Sequence, residues 1–146
     1  MLNEIKSTLH DLADPNKVES VSRYFKTGKG EYGEGDQFLG ITVPNQRLVA
    51  KEYYQNISLT EIKGLLSFDI HEYRLVALLM LVEKYQKLKN EFQQKELVDF
   101  YLSQSLRINN WDLVDTSCYK ILGHYCFNQK REDLLYDLAN SENLWE

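Results

Sequence analysis

Apolar residues recur three or four positions apart along most of the chain, which is the period of an α-helix. The first example is an opening segment in which Leu2, Ile5, Leu9 and Leu12 form one apolar stripe. Strand signals are nearly absent, since only residues 38–43 make a short β-like run. The periodicity therefore predicts an all-α protein.

Local capping signals show where several of these helices begin. Asp14 followed by Pro15 predicts an N-cap and a proline in the first helical turn. Pro44 opens another helix, and Ser58 with Glu61 has the spacing of a capping box. These signals place helix boundaries within the first half of the chain.

The predicted helices follow one another through short connections. Residues 58–66 pair with residues 70–88, and residues 90–104 pair with residues 110–122, where Gly123 is expected to close the last helix in the left-handed conformation. This spacing gives one helical hairpin per about 35 residues, near the period of HEAT and TPR repeats. The expected fold is a HEAT-like, ARM-type solenoid, and a compact helical bundle is the alternative.

Composition narrows the class of protein. The 146 residues are 43% hydrophobic and 27% charged, which is typical of one ordinary globular domain spanning residues 1–146. No apolar run reaches the roughly 20 residues that span a bilayer, and the N-terminal residues lack the order of a signal peptide. Cys118 and Cys126 are expected to be reduced core residues. A cytoplasmic protein is the expectation.

The net charge of −5 is unfavourable for an extended nucleic-acid surface, because phosphate binding usually requires a basic face. A basic groove can nevertheless coexist with an acidic outer face. Net charge alone therefore leaves nucleic-acid binding open.

Gly28, Gly30 and Gly33 form a literal G-x-G-x-x-G pattern. That pattern indicates a dinucleotide site only where it follows a strand and opens a helix. Here it follows a predicted helix, and the acids Glu31 and Glu34 within it would repel a pyrophosphate. A flexible connection is the better interpretation.

The three histidines, His10, His71 and His124, show no spacing suited to a metal ion, so each is expected at the surface or at a helix end. The sequence predicts no metal and no cofactor. The tyrosines are most simply packing residues.

The segment NNWDLVD, residues 109–115, stands apart. If a helix begins near Asn110, Trp111 and Asp115 lie four positions apart on one face and can act together. Asp112 falls in the first turn, where the helix dipole favours an acid. Asp115 has no comparably simple structural explanation.

Five stretches spread over most of the chain stand out together: YFKTG at residues 24–28, GEYGEGDQFLGITVP at 30–44, HEYRLVAL at 71–78, INNWDLVD at 108–115 and SENLWE at 141–146. In residues and in order they resemble the DNA alkylation repair family of AlkD-like alkylpurine DNA glycosylases. The resemblance implies a HEAT-like superhelix whose concave face holds duplex DNA. It also implies hydrolysis of the N-glycosidic bond of N3- or N7-alkylated purines such as 3-methyladenine and 7-methylguanine. The protein is expected to be a monomer.

By the match of motifs, Asp115 is the carboxylate that stabilises the developing sugar cation, and Trp111 is the aromatic residue beside the lesion. Tyr24 matches a position near bound DNA. The expected phosphate contacts, chosen from the inner faces of helices, are Lys26, Lys29, Arg47, Lys51 and Arg107.

The last residues predict a helix that begins at Ser141 and stops after one turn. The family places a catalytic arginine just after the stretch equivalent to LWE. We therefore expect an N-terminal portion of a longer domain of about 210–240 residues, within the usual size of one domain. This portion alone is expected to be nearly inactive. The alternative function is a non-catalytic HEAT-like module that binds DNA or protein.

Overall fold

The computed structural model describes all residues from Met1 to Glu146. Its regular elements are helical, which confirms the all-α class, and the only β pairing is an isolated bridge between Gln37 and Ile70. The expected β-like run at 38–43 forms no strand. The helices are α1 (Leu2–Asp11), α2 (Pro15–Tyr24), α3 (Val43–Tyr53), α4 (Leu59–Leu66), α5 (His71–Lys87), α6 (Glu91–Ser103), α7 (Trp111–Cys118), α8 (His124–Gln129) and α9 (Glu132–Ala139).

The chain forms two compact units, unit 1 at residues 1–81 and unit 2 at residues 82–146, with the boundary inside α5. The HEAT-like solenoid and the single domain remain predictions. No helix is both long enough and apolar enough to cross a bilayer.

In unit 1, the opening helix α1 packs against α3 and α4. Ile5 and Leu9, four positions apart, are completely buried, as the apolar stripe predicts. Leu12 lies beyond the end of α1 and is exposed, so its expected place in the stripe was wrong.

The predicted caps of unit 1 are present. The Asp14 side chain accepts a hydrogen bond from the Asn16 N–H at 3.1 Å and starts α2. Ser58 and Glu61 form the complete capping box of α4, each side chain bonding the backbone N–H of the other. Short-range signals in the sequence thus fix these two helix starts.

The first part of α5 is buried on every side. Residues 71–82 are all inaccessible, including the polar His71, Glu72 and Arg74. His71 is the first residue of α5, so the expected helix-end position is confirmed, whereas the surface alternative was wrong because the residue is buried in a polar network described below.

In unit 2, the helix that starts at Trp111 does not end at Gly123, so that prediction was wrong. A π-helical segment, Tyr119–Gly123, joins α7 to α8, and Gly123 has the helical φ of −60°. The left-handed residue is Lys130, with φ of 53°, after Gln129 ends α8. The helix therefore runs longer than the sequence indicated.

Candidate functional site

The start of α7 is fixed by a buried asparagine. Asn110 has no exposed surface, and its side-chain oxygen accepts a hydrogen bond from the Trp111 N–H at 2.8 Å. The helix ladder begins at the same residue, since Val114 N–H donates to the Asn110 carbonyl at 3.2 Å. This cap sets where the following side chains fall around the helix.

The inner face of α7 is pinned to α6. Leu113 and Ser117 are buried, and the Ser117 hydroxyl lies 2.9 Å from the Tyr101 hydroxyl while it also donates to the Leu113 carbonyl. Asp112 is buried as well, in the first turn. A helix held in this way cannot rotate about its axis without breaking these contacts.

The outer face of α7 carries the two residues singled out in the sequence. Trp111 is half-buried at the first position of the helix, and Asp115 is exposed one turn later. Side chains four positions apart on a helix are neighbours on one face. The arrangement therefore presents a carboxylate to solvent next to an indole.

The neighbouring thiol does not compete with Asp115 as a reactive group. Burial raises the pKa of Cys118, and nearby Cys126 and Asp115 raise it further. A thiol whose pKa is raised stays protonated and is a poor nucleophile at neutral pH. Carboxylate chemistry at Asp115 is what this face can offer.

Arg107 precedes α7 in the same unit. It is the last residue of the 3₁₀ turn Ser105–Arg107, is half-buried, and its N–H donates to the Gln104 carbonyl at 2.8 Å. Among the candidate DNA contacts, Arg107 shares unit 2 with Trp111 and Asp115.

The other candidate DNA contacts belong to unit 1. Tyr24 ends α2 with 65% of its surface exposed, and its ring meets the edge of Phe25 at 5.2 Å. Lys26 and Lys29 are exposed in the loop that follows, and Lys26 adopts the left-handed φ of 51°. These three residues lie within six positions of one another.

Arg47 and Lys51 lie four positions apart on the exposed side of α3, whose opposite side buries Gln46, Val49 and Ala50. They therefore form a small basic face on that helix.

Buried polar side chains of α5 bind the loop that carries Lys26 and Lys29. Asp36 contacts His71 Nδ1 at 2.9 Å and the Arg74 guanidinium at 2.5 Å. The His71 ring contacts both Phe25 and Phe38, with ring centroids 4.7 and 4.8 Å away, and these two phenyl rings also stack on each other at 5.2 Å. We call Asp36, His71, Glu72 and Arg74 the loop clamp.

Glu72 completes the loop clamp. Its two carboxylate oxygens accept hydrogen bonds from the N–H groups of Leu39, Gly40 and Ile41, at 3.0, 2.9 and 3.3 Å. Sequence reasoning missed this role. The available signal was the presence of charged residues within an otherwise apolar helical segment.

The structure contains no group of three or more His, Cys, Asp or Glu residues arranged to hold a metal ion.

A family model described as DNA alkylation repair enzyme matches residues 5–146. The chain therefore belongs to the DNA alkylation repair enzyme family, which gives it a role in DNA repair. No curated protein and no solved structure matches the chain.

Proposed function

We propose that the protein is a DNA glycosylase that hydrolyses the N-glycosidic bond of N3- or N7-alkylated purines in duplex DNA. The observation that carries the proposal is the outer face of α7, where an exposed carboxylate, Asp115, follows the half-buried Trp111 by one helical turn. Membership of the DNA alkylation repair enzyme family supports the choice of substrate.

That face supplies the carboxylate on which the proposed reaction depends. An alkylated purine carries a positive charge, so the bond to the sugar C1′ breaks with its electron pair going to the base, which leaves neutral. No general acid is required. The sugar becomes cationic, and the Asp115 carboxylate stabilises that charge electrostatically. Water then adds to C1′, and its proton passes to Asp115.

Trp111 has a separate role in the proposal. The face of an indole ring attracts cations, and this attraction is stronger where water is partly excluded. The half-buried Trp111 fits a ring held against the cationic base and sugar. Lys26, Lys29, Arg47, Lys51 and Arg107, with Tyr24, are proposed to contact the DNA backbone.

The proposed mechanism is tested by comparing the release of a cationic base with that of a neutral base. The full-length protein is incubated with duplexes carrying 7-methylguanine or neutral hypoxanthine, and released bases are separated by chromatography. We expect release of 7-methylguanine above spontaneous loss and no release of hypoxanthine. Equal release of both bases would show that a general acid operates and would contradict the mechanism.

The same experiment separates the alternative function. A non-catalytic DNA-binding module would bind both duplexes equally and release neither base. A protein-binding solenoid would show no salt-dependent affinity for DNA. The monomeric state and the cytoplasmic location stay predictions.

A further inference from the structure

A solvent-open hollow lies in unit 2, beside the outer face of α7. Its volume is about 400 Å³, and it is lined by Tyr85, Gln86, Leu88, Gln94, Tyr119, Lys120 and His124. Hollows of this size are typical of ligand sites. The residues come from the end of α5 and the connection after it, from α6, and from the π-helical segment with the first residue of α8.

Tyr119 connects the hollow to the candidate site. It follows Asp115 by four positions, so its side chain lies next to Asp115 on the same helical face. It is 64% exposed and also lines the hollow. A ligand that contacts Trp111 and Asp115 would therefore lie about one helical turn from the hollow.

The π-helical segment explains why His124 shares the hollow with Tyr119. The His124 N–H donates to the carbonyl of Tyr119, five positions earlier. In such a turn the residue five positions on, instead of four, comes next to a given residue. A regular α-helix would place these two side chains on different faces.

The lining has an unusual composition for a chain of net charge −5. It contains no carboxylate, and Leu88 is its one aliphatic member. The remaining side chains carry an ammonium, two amides, two hydroxyls and an imidazole. Of these, the Tyr85 hydroxyl and the His124 ring contact each other, and the Gln94 amide already donates one hydrogen bond to the Leu88 carbonyl at 2.9 Å. Lys120 Nζ lies 5.4 Å from the centre of the Tyr119 ring, so the ammonium charge lies next to a second residue of the lining.

Two residues of the lining, Tyr85 and His124, contact each other. The Tyr85 hydroxyl and His124 Nδ1 are 3.0 Å apart, and their rings meet edge to face. Burial raises the pKa of Tyr85 to about 12, so its hydroxyl stays protonated near neutral pH. The Tyr85 hydroxyl therefore keeps its proton under physiological conditions.

We propose that this hollow binds the phosphodiester backbone of the DNA strand next to the alkylated nucleotide. Lys120 neutralises a phosphate, and the Tyr119 hydroxyl and the Gln86 amide donate to phosphate oxygens, as such side chains commonly do. Gln94 contributes the second hydrogen of its amide, since the first is bonded to the Leu88 carbonyl. The proposal rests on the proposed function only for the position of the lesion at Trp111 and Asp115.

Salt dependence of DNA binding tests the site. Affinity of the chain for a duplex containing a tetrahydrofuran abasic analogue is measured by fluorescence anisotropy between 50 and 200 mM NaCl, a range over which phosphate contacts show clearly. We expect Lys120→Ala to reduce the slope of log K against log salt by about 0.9, the value for one phosphate contact. Lys120→Arg should keep the slope. Tyr119→Phe should lower the affinity for DNA but leave the slope unchanged, because the tyrosine carries no charge.

Matched controls use the same unit. Lys95 pairs with Asp99 on α6 and does not line the hollow, so Lys95→Ala should leave the slope unchanged. Tyr136, exposed on α9, gives the control Tyr136→Phe. Equal slopes for the wild type and Lys120→Ala would overturn the proposal, whether or not base release is observed. A Lys120-dependent slope without base release would support the hollow and contradict the glycosylase assignment.

Discussion

Single buried residues give the loop of residues 25–42, between α2 and α3, its shape. Asp36 and Glu72 are carboxylates surrounded by donors from His71, Arg74 and three backbone N–H groups. A buried charge is tolerated only where such partners are present. The sequence could not show this arrangement, because Asp36 and His71 are 35 positions apart and the two stretches that contain them give no sign that these side chains meet.

Replacing Asp36 with Asn should destabilise the protein by about 3 kcal/mol near neutral pH, the usual minimum when one member of a buried ion pair is removed. Burial acts to raise the pKa of Asp36, but the hydrogen bond from His71 and the charges of Arg74 and His71 outweigh it, so this pKa is lowered.

A lowered pKa in the folded state stabilises the protein above the usual carboxyl pKa of about 3.9, and the contribution is lost as pH falls through the lowered pKa. The difference in unfolding free energy between wild type and Asp36→Asn should thus shrink below about pH 4. Urea unfolding across pH measures it, with the exposed Asp11→Asn as control. A difference that widens toward low pH would contradict this account of Asp36.

Gly40 is required for a close approach of two backbone segments. Its φ is +80°, and a Cβ atom at this position would come within 2.2 Å of the Asp14 carbonyl oxygen. Gly35 also has a positive φ, of +91°, but open space surrounds it.

Gly35→Ala should therefore cost about 1–2 kcal/mol, the conformational penalty alone. Gly40→Ala should cost more, because the backbone at the start of α2 must also move. Thermal unfolding of the two variants provides the comparison, and equal losses would show that the contact with Asp14 is unimportant.

At the scale of elements, helix starts were predicted better than helix ends. Asp14, Ser58 and Asn90 act as N-caps, as their residue types and spacing indicate. The expected end at Gly123 was wrong because the chain continues through a π turn, whose i to i+5 hydrogen bonds leave glycine in a helical conformation. Glycine favours a left-handed end only where the chain has to turn there.

Lys130 provides a stability test of the helix end that the structure shows. It holds the left-handed conformation after α8, with φ of 53° and ψ of 43°, where glycine is normally preferred. Lys130→Gly should raise stability by about 1 kcal/mol, the left-handed penalty of a side chain. Gln129→Gly, one position earlier and still helical, should lower it by about 1 kcal/mol. Denaturant unfolding with the opposite order of stabilities would contradict this helix end.

For the molecule as a whole, the sequence predicted the all-α class and the family, because helical periodicity and capping are local and the motifs are distributed along the chain. It did not predict the division into units at residues 1–81 and 82–146, which depends on packing between residues far apart in sequence. It also did not predict α9, although Leu134, Leu135 and Leu138 have helical spacing.

The candidate site shows the same contrast. The cap at Asn110 and the four-residue spacing of Trp111 and Asp115 could be predicted from NNWDLVD alone. The hollow could not, because Tyr85, Gln94 and Lys120 come together only through the packing of three segments and the π turn. Local patterns locate single faces of helices, whereas hollows require the tertiary structure.

The central claim is that Asp115 stabilises the transition state of base release and is not required for DNA binding. Single-turnover release of 7-methylguanine by the whole protein is measured for wild type and Asp115→Asn, together with affinity for a duplex containing the abasic analogue. We predict a loss of release of about 100-fold or more, typical of removing one electrostatic stabiliser, with affinity nearly unchanged. Asp137→Asn, an exposed acid on α9, should match the wild type in both measurements. Undiminished release by Asp115→Asn would contradict the claim.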